Sequence, residues 1–162
     1  MKLRQYLTEI NMKTIDSMPE FEPLPMVVKI QKKYKLSPVW KEYNDKRATH
    51  SKTINGRYIL INSKHRNDLR TQLHELGHYV MDMGYVDKQG IKRLFQFYKK
   101  SLPKWGKDQG VKSYGFHEID GQAFNMNNPD EFFAEMFQLY IQNFLKGDNK
   151  KVMDMLMTGK KF

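Results

Sequence analysis

Cysteine is absent from all 162 residues. That excludes disulfide frameworks, thiolate metal sites and cysteine nucleophiles, so any bound metal must be held by His, Asp or Glu. Also missing is an apolar stretch approaching the roughly 20 residues a membrane-spanning helix needs, and we expect no membrane partner. The first segment, MKLRQYLTEINMKTIDSMP, is broken by Lys2, Arg4, Glu9 and Lys13. It holds no apolar run of signal-peptide length, so a cytoplasmic location is expected. Internal repeats and low-complexity segments are lacking too.

Acidic residues are in short supply: 18 Asp and Glu stand against 28 Lys and Arg, for a formal charge of +10. Such a balance favours acidic partners, nucleic acid among them. The lysines are scattered, however, with short pairs at Lys32-Lys33, Lys99-Lys100, Lys150-Lys151 and Lys160-Lys161. No nucleic-acid motif accompanies them, so the charge reads first as a solvated surface and second as a binding patch. A chain of this length fits one monomeric domain with a small helical appendage.

Along the chain, Leu3, Tyr6, Leu7 and Ile10 fall on one helical stripe. Pro19, Pro23 and Pro25 then force an extended linker, helix resumes at MVVKIQKKYKL, and Pro38 interrupts it. The Asn55-Gly56 pair inside THSKTINGRYILIN reads as the turn of a β-hairpin over 53–62. A helix from about Asp68 to Met83 follows, with Leu69, Leu73, Leu76, Val80 and Met83 as its apolar face and Gly84 as its stop. IKRLFQFYKKSL is another helix, and 103–128 reads as loop with at most one short strand. Asn128 and Pro129 open a helix over 129–146, Asn as cap and Pro at the first position. A short helix around KKVMDMLM closes the chain.

The chemistry concentrates in His74-Glu75-Leu76-Gly77-His78. Four residues of helix advance about 6 Å and turn about 40°, so two histidines at this spacing leave one face side by side and can grip one ion. Zinc accepts that donor set, and the glutamate between them is placed to take a proton from a water the ion activates and pass it to a leaving amine. The competing account, two histidines on an ordinary helix, needs three specified residues to coincide opposite an apolar face.

A catalytic zinc requires a third protein ligand and one open position. No histidine follows His78 in YVMDMGYVDK, so the third ligand is expected to be a carboxylate. NNPDEFFAEMF offers Glu131 and Glu135, four apart on the 129–146 helix. Glu131 also completes an Asn-x-x-Glu capping box with Asn128, which is a reason for its presence without any metal. Asp82 is a weaker candidate, one turn beyond His78. His117 and Glu118 read as solvated loop residues ahead of a role in touching substrate, and His50 and His65 as structural or exposed.

QLHELGHYVMD and PDEFFAEMF together resemble the anthrax lethal factor-type catalytic domain and its relatives, the Pro-Pro endopeptidases, over about residues 55–145. The resemblance implies an α+β zincin-like fold; on this reading 1–45 is an N-terminal helical segment packed on or leading into the domain, and 46–162 is the zincin-like catalytic domain. It implies a zinc metalloendopeptidase of the gluzincin type acting on a peptide or protein. Within it His74, His78 and Glu131 are the Zn2+ ligands, Glu75 the general base and Glu135 a carboxylate that supports a ligand. Family members also place a tyrosine shortly before the EFFAE segment to steady the developing oxyanion. Tyr114, in Ser-Tyr-Gly, is the residue this implies, although it stands seventeen positions before Glu131 and Phe124 occupies the usual seven-residue spacing. The HELGH helix after a strand is also similar to ImmA/IrrE-like regulatory proteases, which cleave one repressor. A basic binding module with a vestigial zinc site is the third reading.

Overall fold

Proline sets where the first helices stop and start. The computed structural model describes residues 12–44, 51–54, 57–100, 116–119, 122–125 and 128–158. Within them helix α1 (Met12–Ser17) ends ahead of Pro19, and helix α2 (Pro25–Tyr34) carries Pro25 at its first position, where a missing N–H breaks no hydrogen bond. The expected helix stripe at Leu3 to Ile10 lies outside the described residues. The chain divides into two compact units, Met1–Tyr79 and Val80–Phe162.

The first unit holds a mixed sheet of β1 (Val39–Tyr43), β2 (Lys52–Ile54) and β3 (Tyr58–Asn62), in the order β1-β3-β2. β2 pairs antiparallel with β3 as the expected hairpin, Thr53 standing opposite Ile59, while β1 runs parallel to β3. All five residues of β3 are buried, in keeping with an apolar, β-branched run lying in the centre of a sheet. Ile15, Tyr43, Tyr58 and Leu60 form a cluster that Met18, Val39 and Ile54 extend. The Tyr58 hydroxyl donates to Asp16 Oδ1 at 2.5 Å, and that bond raises the phenol above its ordinary pKa.

Strand β1, which follows Pro38, has no counterpart among the elements expected from the sequence. Its sequence, Val-Trp-Lys-Glu-Tyr, looks half-solvated, yet Lys41 is buried. Its ammonium donates to the carbonyls of Asp16 and Met18 at 3.2 and 3.1 Å and pairs with Glu20 at 3.4 Å. Those partners sit more than twenty residues away in sequence, so the strand depends on tertiary contacts that local pattern does not display.

Helix α3 (Leu69–Asp82) follows. Asp68 caps it, accepting from the Arg70 N–H at 3.1 Å, a group that the first turn cannot bond internally, and from the Thr71 hydroxyl at 2.6 Å. Leu73, Leu76 and Val80 are fully buried, whereas Met83, expected on the same face, is exposed. Each buried aliphatic side chain contributes about 1.5–3 kcal/mol. Buried Gln72 ties the helix to the proline linker by accepting from the Leu24 N–H at 2.9 Å and donating to the Arg66 carbonyl. Gly84, at φ 75°, ends α3 in left-handed backbone. The Gly84 and Tyr85 amides donate back to Met81 and Val80 at 3.0 and 3.1 Å, the bond pair of a Schellman motif.

The second unit contains α4 (Lys88–Lys100), β4 (Phe116–Ile119), β5 (Gln122–Asn125), α5 (Pro129–Ile141) and α6 (Gly147–Met157). Asp87 caps α4 by accepting from the Gln89 N–H at 3.0 Å. The region expected to be loop with at most one strand holds two, paired antiparallel with His117 opposite Phe124. Helix α5 packs on α4, β5 and α6, and its Phe132, Phe133, Ala134, Met136, Phe137 and Leu139 are all buried. The Phe132 ring meets Phe95 and Tyr98, each at 5.7 Å between centroids. The expected span of 129–146 is too long by five residues. Asn143 takes φ 61°, and the Asn143 and Phe144 amides return to Tyr140 and Leu139 at 3.1 and 2.9 Å, closing the helix after Ile141. The described residues thus form an α+β fold with a three-stranded mixed sheet, a two-stranded sheet and six α-helices. None of those helices is long and apolar enough to cross a membrane.

Candidate metal centre

His74 and His78 leave α3 one turn apart, both half-buried, with ring centroids 5.0 Å apart and planes at 75°. Buried Leu73 and Leu76 fix the face from which they project. Glu131 stands in the first turn of α5, where the Asn128 side chain accepts from its N–H at 2.8 Å. One nitrogen from each histidine and one carboxylate oxygen of Glu131 lie within 4.8 Å of one another. Among the described residues this is a group able to hold a metal ion.

The donor chemistry fits a cation of the zinc type. Two imidazole nitrogens and one carboxylate oxygen make the three protein ligands of a catalytic site, leaving one tetrahedral position open. Ligand atoms about 2.0–2.1 Å from a tetrahedral centre stand roughly 3.4 Å from one another, closer than the 4.8 Å within which the present group falls.

Asn128 therefore performs its half of the capping box through the backbone of Glu131, and the Glu131 carboxylate belongs to the group with the histidines. Cap and cluster draw on different atoms of one residue. Glu135, one turn further along α5, is half-buried, its Oε2 fully so, and lies outside the group. Asp82 is exposed at the last residue of α3 and is also outside it. His65 is half-buried in the 3-10 turn Ser63–His65. Tyr114 and His50 lie outside the described residues, while His117 and Glu118 belong to β4 rather than to a loop.

Glu75 is buried, and Thr53 of β2 reaches it. The Thr53 hydroxyl donates at 3.1 Å toward the Glu75 carbonyl and at 3.4 Å toward its Oε2. Sequence reasoning missed Thr53, since a threonine in Ser-Lys-Thr-Ile reads as an ordinary strand residue. The one available signal was its position in the hairpin directly before the HELGH helix.

No protein-family model, curated protein or solved structure matches this chain.

Proposed function

We propose that this protein is a zinc-dependent endopeptidase. The observation that carries the reading is the His74, His78 and Glu131 group together with a buried glutamate, Glu75, immediately following the first histidine. His74, His78 and Glu131 would hold the ion, in the manner implied by the zincin-like, lethal factor-type resemblance. Bound there, zinc acts as a Lewis acid that polarises a carbonyl and brings the pKa of water from 15.7 to about 7.

The chain's own residues supply the proton handling. Glu75 accepts the proton of the attacking water and returns it to the amine nitrogen as the C–N bond breaks, so water adds across the peptide bond with no net change in the enzyme. Burial strengthens that role, because a carboxylate shielded from bulk water keeps one orientation and exchanges protons with the substrate rather than with solvent. Tyr114 is the residue the resemblance assigns to the oxyanion, and Glu135 the one assigned to supporting a ligand.

Elemental analysis and peptide-library cleavage with and without chelator test the proposal. We expect about one zinc per chain and chelator-sensitive hydrolysis. No stoichiometric transition metal after zinc is supplied would overturn the reading. Stoichiometric zinc with no cleavage, accompanied by salt-dependent DNA binding, would move the assignment to a basic binding module.

A further inference from the structure

We propose that Thr53 is a positioning residue for Glu75, holding the carboxylate of the general base from the neighbouring strand; the inference rests on the peptidase reading. The residue sits at an odd place for a hydroxyl. β2 is a three-residue strand at the edge of the sheet, and within it Thr53 is buried while Lys52 and Ile54 on either side are only half-buried. Valine has the same branched shape and would fill that position with no polar atom to satisfy. A hydroxyl at a buried position is destabilising unless bonded, and here its oxygen lies 3.1 Å from the Glu75 carbonyl and 3.4 Å from Glu75 Oε2.

Both acceptors belong to one residue. The carbonyl of Glu75 lies mid-helix and has a second lone pair beyond the one used by the helical ladder, so α3 does not need Thr53 to be complete. What the hydroxyl adds is a fixed point outside the helix, shared between main chain and carboxylate. It restricts rotation of a side chain with three rotatable bonds, and it does so from a strand pinned to β3 by the Thr53–Ile59 register. An ionised carboxylate strengthens the bond. A base held within a few tenths of an ångström transfers protons at a rate that a freely rotating one does not reach.

The test compares Thr53→Val, which keeps shape and removes the donor, with Thr53→Ser, which keeps the donor. Both are assayed as zinc-loaded protein on the quenched peptide that the wild-type chain cleaves fastest in a library. Thr53→Val should lower kcat about 10- to 100-fold with KM, zinc affinity and melting temperature close to wild type. Thr53→Ser should recover kcat to within about threefold. A second readout is independent of turnover: in zinc-free protein, the Glu75 carboxyl carbon resonance, assigned by its loss in Glu75→Gln, should move in Thr53→Val and stay in Thr53→Ser. Unchanged kcat in Thr53→Val, equal damage in both variants, or an unmoved resonance each overturns the role of Thr53 and leaves the peptidase reading standing. A resonance that moves in Thr53→Val, when the zinc-loaded wild-type chain cleaves no library peptide, instead overturns the peptidase reading, and the positioning role with it.

Discussion

Helices α3 and α5 use the same four-residue spacing with different outcomes. On α3 the pair is His74 and His78, both half-buried on a helix whose Leu73, Leu76 and Val80 are buried and whose exposed residues are Arg70 and Asp82 near its ends. On α5 the pair is Glu131 and Glu135, set in a helix whose other residues from Phe132 to Leu139 are buried and mostly aromatic or aliphatic. Both histidines enter the donor group, whereas only Glu131 of the second pair does. Spacing places two groups on one face, but one turn still separates them by about 6 Å along the axis. The two imidazole rings stand 5.0 Å apart between centroids. The second carboxylate is left a turn away and outside the group.

The strongest break of this comparison is at the residue that belongs to neither pair. Glu75→Gln keeps size and removes proton acceptance, so hydrolysis should fall about 10²- to 10⁴-fold. Zinc content should stay near one per chain. Cleavage at near wild-type rate by the zinc-loaded variant removes Glu75 as base.

Next in size is the contrast between the two glutamates. Glu131→Ala should abolish tight zinc binding, while Glu135→Ala should weaken affinity or activity about 10- to 100-fold. Zinc titration at matched folding reads both. Full-affinity binding by Glu131→Ala would transfer the ligand role to Glu135 or Asp82 and undo the contrast drawn between the two helices.

Local signals made much of this legible in the sequence. The hairpin, α3 and the start of α5 announce themselves through Asn55-Gly56, an apolar period and an Asn-Pro cap, each of which acts within a few residues. Glu131 and Glu135 stayed indistinguishable in their own spacing and came apart only in three dimensions. Strand β1 was hidden because the partners of Lys41 lie in another segment. The link from Thr53 to Glu75 spans 22 residues between strand and helix, and a hydroxyl that bonds across such a gap leaves no pattern in the chain.

The Asn128 cap sharpens the assignment of Glu131 to two separate duties. Asn128→Ala removes the 2.8 Å acceptor from the Glu131 N–H and should cost about 1 kcal/mol, a fall of roughly 2–4 °C in melting temperature for a chain of this size. Zinc should remain bound. Loss of zinc as complete as in Glu131→Ala would mean that the cap, rather than the carboxylate alone, builds the group.

Effects of the cap's order and below lie at the other ends of the two helices, which close in the same way with different residues. Gly84 ends α3 at φ 75° and Asn143 ends α5 at φ 61°. An added Cβ at Gly84 meets nothing within 4 Å, so Gly84→Ala isolates the backbone cost of left-handed geometry and should destabilise by about 1–2 kcal/mol. Asparagine tolerates that region better than other side chains, and glycine better still. Asn143→Gly should therefore shift stability by no more than about 0.5 kcal/mol. Urea midpoints at unchanged slope measure both substitutions. A loss in Asn143→Gly equal to that in Gly84→Ala would show that the Asn143 side chain, and not its backbone tolerance, is what stops α5 five residues short of the expected end.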